Sequence, residues 1–277
     1  MTATTDRAAQ TRITSPDGTQ IACFTSGEGP PLVLVHGTTA DHARWAPILG
    51  LLEAHATVHA IDRRGRGASS DGPVYAIERE YEDVAAVVDH VAAASGQKVD
   101  VLGHSYGGVV AYGAAHLTEN VHSLLLYEGW PAADPASMSA SADVHERMGQ
   151  LLGASAPEAA LELFMREVVG MPDAEFAIYR TLPAWPRRVA AAHTILREER
   201  SVPAFDADEA AGLALPVLLL VGSDSPPSIQ NDYATVAAAL PDVRVEILEG
   251  QQHIAMDLVP EEFSRRVVDF LRSGPGA

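Results

Sequence analysis

Short apolar runs alternate with longer amphipathic stretches along most of this chain, and one interval breaks the alternation. Arg12–Ser15 and Thr19–Phe24 flank Pro16-Asp17-Gly18, a hairpin signal with Asp-Gly in the turn. Leu32–Val35 is a continuous β-branched and leucine run of the kind that forms a parallel strand buried on both faces. Val58–Ile61, Val99–Leu102, Ser123–Tyr127, Pro216–Val221 and Val243–Leu248 read as further strands. Between them lie helix-like stretches. Ile77–Ala94 carries Val84, Val87, Val88 and Val91 at helical spacing. Trp45–Leu52, Gly107–His116, Ile229–Leu240 and Glu261–Leu271 complete the set. Strand–helix alternation predicts an α/β domain with a mainly parallel sheet covered on both faces.

The break runs from Pro131 to about Leu213, where no run reads as a buried strand. Ala140–Leu152, Pro157–Val169, Ala174–Leu182 and Arg187–Arg200 read as helices separated by proline and glycine. The expected organisation is a core of residues 1–130 and 214–277, with a helical cap of residues 131–213 inserted between two strands.

A chain of 277 residues suits one large domain with an insertion. Its 19 basic and 37 acidic residues give a net charge of −18, which disfavours nucleic acid and anionic membranes as partners. No window approaches the length of a membrane span. Residues 1–12 are polar and lack a signal-peptide core, so the cytoplasm is the expected location. Cys23 is the single cysteine, which rules out an internal disulfide and a thiolate metal cluster. A monomer or homodimer is expected.

The chemistry centres on Gly103-His104-Ser105-Tyr106-Gly107-Gly108, a G-x-S-x-G at the junction of an apolar strand and a helix. Such a sharp turn presents a serine hydroxyl to an active site. A serine alone is a weak nucleophile and needs a histidine to take its proton. His253, after the last strand, is the expected base, whereas His104 is expected to pack beneath the nucleophile turn. The backbone N–H of Tyr106 and that of Thr38, in Val35-His36-Gly37-Thr38-Thr39, are the expected oxyanion donors, with His36 supporting that loop. Two carboxylates compete to hold the histidine. Asp224 follows Pro216–Val221, and Glu128 follows Ser123–Tyr127 directly, where a carboxylate normally needs a buried partner.

Together these features resemble the α/β-hydrolase superfamily over nearly the whole chain. The resemblance implies an eight-stranded, mainly parallel sheet with an inserted helical cap. Gly103–Gly108 matches that family's nucleophile elbow, His36-Gly37 its oxyanion loop, and Asp62-Arg63-Arg64-Gly65-Arg66-Gly67 its signature after a strand. Many members place the triad acid where this chain has Ser225, and Asp224 comes one residue early. A minority, including zearalenone lactone hydrolases, use a glutamate at the position of Glu128. Tyr179–Trp185 is also similar to the cap of those lactone hydrolases, where a tryptophan packs on substrate.

The resemblance therefore favours Ser105, His253 and Glu128 as the triad, with Asp224 as the alternative acid. His36, Trp130, Tyr179 and Trp185 are the expected pocket residues. Adjacent Arg187 and Arg188 read as a solvated helix face. No metal or cofactor is expected. The expected activity is hydrolysis of an apolar small-molecule ester or lactone through an acyl-enzyme. A C–C bond hydrolase with the same triad, a non-catalytic small-molecule binding protein, and a biosynthetic cyclase or lyase are the alternatives. Aspartate-nucleophile chemistries of the superfamily, dehalogenation and epoxide hydrolysis, are disfavoured by Ser105.

Overall fold

The computed structural model describes residues 9–133 and 141–273. Eight strands form one sheet in the order β1-β2-β4-β3-β5-β6-β7-β8. They are β1 (Ala9–Thr14), β2 (Gln20–Ser26), β3 (Pro31–Val35), β4 (Thr57–Ile61), β5 (Val99–His104), β6 (Val121–Tyr127), β7 (Val217–Gly222) and β8 (Val243–Leu248). β1 and β2 pair antiparallel, as do β2 and β4, and the remaining strands are parallel. The hairpin turns at Asp17, whose side chain accepts the Thr19 N–H at 2.9 Å, and Gly18 takes φ 89°.

The helices are α1 (Leu49–Glu53), α2 (Ile77–Ser95), α3 (Tyr106–Ala115), α4 (Ala142–Gly153), α5 (Pro157–Leu163), α6 (Asp173–Tyr179), α7 (Trp185–Ala190), α8 (Ile195–Glu199), α9 (Ala207–Ala211), α10 (Pro227–Ala239), α11 (Ala255–Leu258) and α12 (Pro260–Ser273).

The unbroken apolar runs have a simple cause: alternate residues of the central strands serve two different cores. Val33, Val35, Val101, Leu124, Leu126 and Leu219 join Val84, Val87, Val88 and Val91 of α2 on one face. Leu32, Leu34, Leu102, Leu125, Tyr127 and Leu218 join Trp45, Phe263 and Val267 on the other. Each fully buried side chain of this size contributes about 1.5–3 kcal/mol of transfer free energy.

Three helix expectations need correction. Trp45–Leu52 is instead a 3-10 turn at His42–Trp45 followed by α1, with Pro47, which has no N–H to donate, between them. Pro157–Val169 becomes α5 plus a π turn at Phe164–Val168. Arg187–Arg200 divides into α7, a 3-10 turn at Ala192–Thr194 and α8. There the Thr194 hydroxyl donates to Ala191 O at 2.8 Å, a local bond that competes with the helix ladder. Ala140, the expected start of another helix, lies outside the described residues.

Among the described residues between β6 and β7, α4–α8 and the turns between them carry a third apolar cluster. It includes Met148, Leu161, Phe164, Met165, Phe176, Tyr179, Trp185 and Ile195, and it takes in Ile254 from the loop after β8. This segment is tied to the sheet side by charge as well. Glu198 of α8, fully buried, pairs with Arg63 at 2.8 Å and with Arg66, while Glu80 of α2 takes the other side of Arg63 at 2.7 Å.

Candidate active site

Ser105 sits between the end of β5 and α3 with φ 56° and ψ −134°, a conformation that costs a non-glycine residue free energy and clusters at functional sites. Its neighbours explain why glycines surround it. A Cβ on Gly37 would stand 2.8 Å from Ser105 Cβ and 3.3 Å from its Oγ, so the loop after β3 presses directly on the serine. A Cβ on Gly129 would overlap Ser105 O, so the loop after β6 presses on it as well. The Ser105 N–H donates to Tyr127 O at 2.9 Å.

Glu128 also has positive φ, 45°, and only 4% of its surface is exposed. Its Oε2 accepts from His253 Nδ1 at 2.9 Å. Its Oε1 accepts the Gly222 N–H at 2.9 Å and the Ser225 hydroxyl. The buried carboxylate is therefore satisfied on both oxygens. The bond fixes the proton of His253 on Nδ1 and leaves Nε2 as the ring atom available to Ser105.

Asp224 is exposed and accepts from Ser223 Oγ at 2.9 Å. Among the described residues it makes no hydrogen bond or ion pair to His253, which pairs with Glu128 instead. The two neighbours differ in burial: Ser225 is buried and Asp224 is exposed.

Tyr127, the residue before Glu128, pins the histidine loop. Its hydroxyl donates to Gln252 O and accepts the Ala255 N–H at 2.9 Å, bracketing His253 on both sides. His104 lies beneath, stacked on the Tyr127 ring at 4.9 Å, with Nε2 donating to His253 O at 3.1 Å. Burial, with His253 and Arg44 nearby, holds its pKa well below the ordinary histidine value.

Thr38 and Tyr106 line the same cavity as Ser105 and His253. Among the described residues, neither backbone N–H donates to a protein acceptor. That leaves both free for an oxygen bound beside the serine. His36 does not line the cavity and corrects its placement among the pocket residues. It is fully buried, takes the Arg63 N–H on Nε2 at 3.0 Å and donates from Nδ1 to Gly37 O at 2.9 Å. Burial and the charges of Arg63 and Arg66 hold it neutral, with its pKa far below the usual range.

The cavity over Ser105 has a volume of about 300 Å³, with Trp130, Val109, Phe164, Val168, Val169 and Ile229 in its walls. An adjoining compartment of about 20 Å³ shares Thr38, Ser105, Phe164, Val169 and His253 and adds Tyr179, Met165 and Arg188. Trp130 and Tyr179 are thus in the walls of these cavities. Trp185 is not. It packs edge-on to Phe176 and Tyr179, and its Nε1 donates to Glu158 at 2.8 Å, which makes it core of the helical segment. Arg188 overturns its reading as a solvated residue, since only 5% of its surface is exposed.

The chain belongs to the alpha/beta hydrolase family, whose model matches residues 32–268. It is 30% identical over 260 residues to the pimeloyl-[acyl-carrier protein] methyl ester esterase of Neisseria meningitidis, covering 87% of this chain and 92% of that one. The structure resembles that of an alpha/beta hydrolase from Sphaerobacter thermophilus with a TM-score of 0.81 and 34% identity, over 94% of this chain and all of the other. A 102-residue stretch is 35% identical to the "Probable oxidoreductase EphD" of Mycobacterium tuberculosis. That stretch spans 35% of this chain but only 17% of that protein.

Proposed function

We propose that this protein is a serine hydrolase that cleaves a carboxylic ester or lactone of a small, largely apolar molecule through an acyl-enzyme. The observation that carries the reading is the Glu128–His253 hydrogen bond at 2.9 Å, made in the wall of a cavity that also holds Ser105. The named esterase among its relatives points the same way. No helix among the described residues is long and apolar enough to cross a membrane.

In the proposed reaction the Ser105 hydroxyl attacks the carbonyl carbon as His253 Nε2 takes its proton. Glu128 holds the imidazole and stabilises its protonated form. The Thr38 and Tyr106 N–H groups receive the oxyanion. The carbon–oxygen bond to the alcohol then breaks, and His253 returns the proton to that leaving oxygen. Water attacks the acyl-enzyme with His253 as base, and the acid and free Ser105 are released. The helices from 141 to 213 act as a cap over the cavity, and its mainly apolar walls suit an apolar acyl or alkyl body.

The test is labelling with a fluorophosphonate probe and mapping of the adduct by mass spectrometry. A single adduct on Ser105, lost in His253→Ala, is expected. Folded protein that stays unlabelled with short, small probes overturns the reading.

A further inference from the structure

The geometry points to Arg188 as a specificity-determining residue that binds a carboxylate carried by the substrate, so that the preferred substrate is a mono-ester or lactone bearing a second, free acid group. This inference rests on the hydrolase reading and narrows its substrate class.

Three observations support it. First, Arg188 is a buried cation left over from its surroundings. Its near neighbours are already paired: Arg44 takes Asp257 at 2.8 Å, and Arg187 takes Asp41 at 2.6 Å. Among the described residues Arg188 has no ion-pair partner. Among the described residues the only hydrogen bonds of its side chain are long ones from Nη1, to Thr38 O at 3.5 Å and Thr39 Oγ1 at 3.4 Å. The Tyr179 ring lies 4.9 Å from its guanidinium carbon and offers some compensation. A guanidinium stays charged in proteins, and burying it without an anion is costly.

Second, Arg188 forms part of the wall of the compartment that adjoins Ser105, where its charge can be met by a ligand. Third, the compartment's volume of about 20 Å³ fits the size of the group proposed. A space of that measure admits only a compact end of a substrate, and the Arg188 charge rather than the volume selects a carboxylate for it. The apolar body of the substrate would then occupy the 300 Å³ cavity, with the ester carbonyl at Ser105 between the two. A buried arginine meeting a carboxylate in two parallel hydrogen bonds gives both orientation and charge selectivity.

The experiment compares monoethyl esters of linear dicarboxylic acids, from succinate to suberate, with neutral esters in which an isopropyl group replaces the free carboxylate. For at least one pair the wild-type protein is expected to favour the charged ester in kcat/KM by about 10–100-fold, the range of one charge-assisted contact. Arg188→Met should collapse that ratio to near one, and Arg188→Lys should restore part of it. A role confined to bracing the Thr38 loop would lower both members of a pair together and leave the ratio unchanged, which overturns the inference. So does a wild-type preference for the neutral member of every pair. If Ser105 is labelled by the fluorophosphonate but no ester turns over, protection against labelling decides: free dicarboxylates must protect the wild type better than they protect Arg188→Met, and equal protection or none overturns the inference. Failure of Ser105 to label at all sinks the hydrolase reading itself, a distinct result.

Discussion

The Ser225 hydroxyl donates to Glu128 Oε1, across the gap between the loop after β7 and the end of β6. Ser225 occupies the position from which many related hydrolases offer their acid. Here the same loop offers a hydrogen-bond donor, and the carboxylate comes from the neighbouring strand with its other oxygen on His253.

Glu128→Gln is therefore expected to lower kcat by about three to four orders of magnitude, because an amide cannot both hold the Nδ1 proton and stabilise the imidazolium. Asp224→Asn should stay within about two-fold, as expected of an exposed surface change. Ser225→Ala removes one of three hydrogen bonds to the carboxylate and should cost about 2–10-fold. Steady-state kinetics on one ester checks all three. A severe Asp224→Asn beside a mild Glu128→Gln would exchange their roles.

Gly37→Ala tests the contact between the loop after β3 and the serine. The added methyl would fall 2.8 Å from Ser105 Cβ and 3.0 Å from His104 O, so the loop or the elbow must move. A displacement of about 1 Å costs about 100-fold, so a shift of a few tenths of an ångström at the nucleophile should lower kcat by about 3–10-fold. Circular dichroism should remain that of the wild type.

Glu198→Ala should destabilise the fold by about 3–5 kcal/mol, the usual consequence of stripping a buried cation of its partner. Arg66 loses its carboxylate and Arg63 keeps only Glu80. Urea unfolding followed by tryptophan fluorescence measures it. A loss below about 1 kcal/mol would mean that the helices between β6 and β7 are not anchored through this cluster.

His36 and His104 stay neutral in the folded protein far below the ordinary value of 6.5. The unfolded chain protonates them near 6.5, so it binds more protons than the folded state below that pH. Stability should be flat with respect to these groups above about pH 7 and fall as pH drops through 6.5, by up to about 1.4 kcal/mol per pH unit for each residue. His36→Gln should flatten the fall in a urea series between pH 7 and 5. An unchanged slope would remove His36 from the account.

The sheet was legible because β3 and β7 are buried on both faces, and in β5 and β6 only Asp100, His122 and Ser123 near the strand starts break the apolar runs. The elbow was legible because close packing around Ser105 admits only glycine at Gly103 and Gly107. The helical segment was less so. Whether Arg188 or Arg187 faces inward depends on the phase of α7, a six-residue helix whose start moved to Trp185 because Pro186 fits its first turn. The same shift carries Trp185 into contact with Phe176 and Tyr179 and away from the cavity. Nothing in Leu126-Tyr127-Glu128 announces that the Tyr127 hydroxyl holds the His253 loop, since that bond joins residues 125 positions apart. His36 was placed near its loop but too close to substrate, because sequence does not reveal which way a residue at a strand end points.

Glu128 and Ser105 stand at the ends of adjacent strands, locked by the Ser105 N–H to Tyr127 O bond and by the close fit of Gly129. Their spacing is set before the chain departs at residue 131 on its helical excursion, and His253 is held by Tyr127 from that same strand. The helices between β6 and β7 meet that frame at Ile254 and through Glu198, so a different set grafted in their place would leave Ser105 and Glu128 aligned by their own strands but would have to supply new partners for Arg63, Arg66 and Ile254.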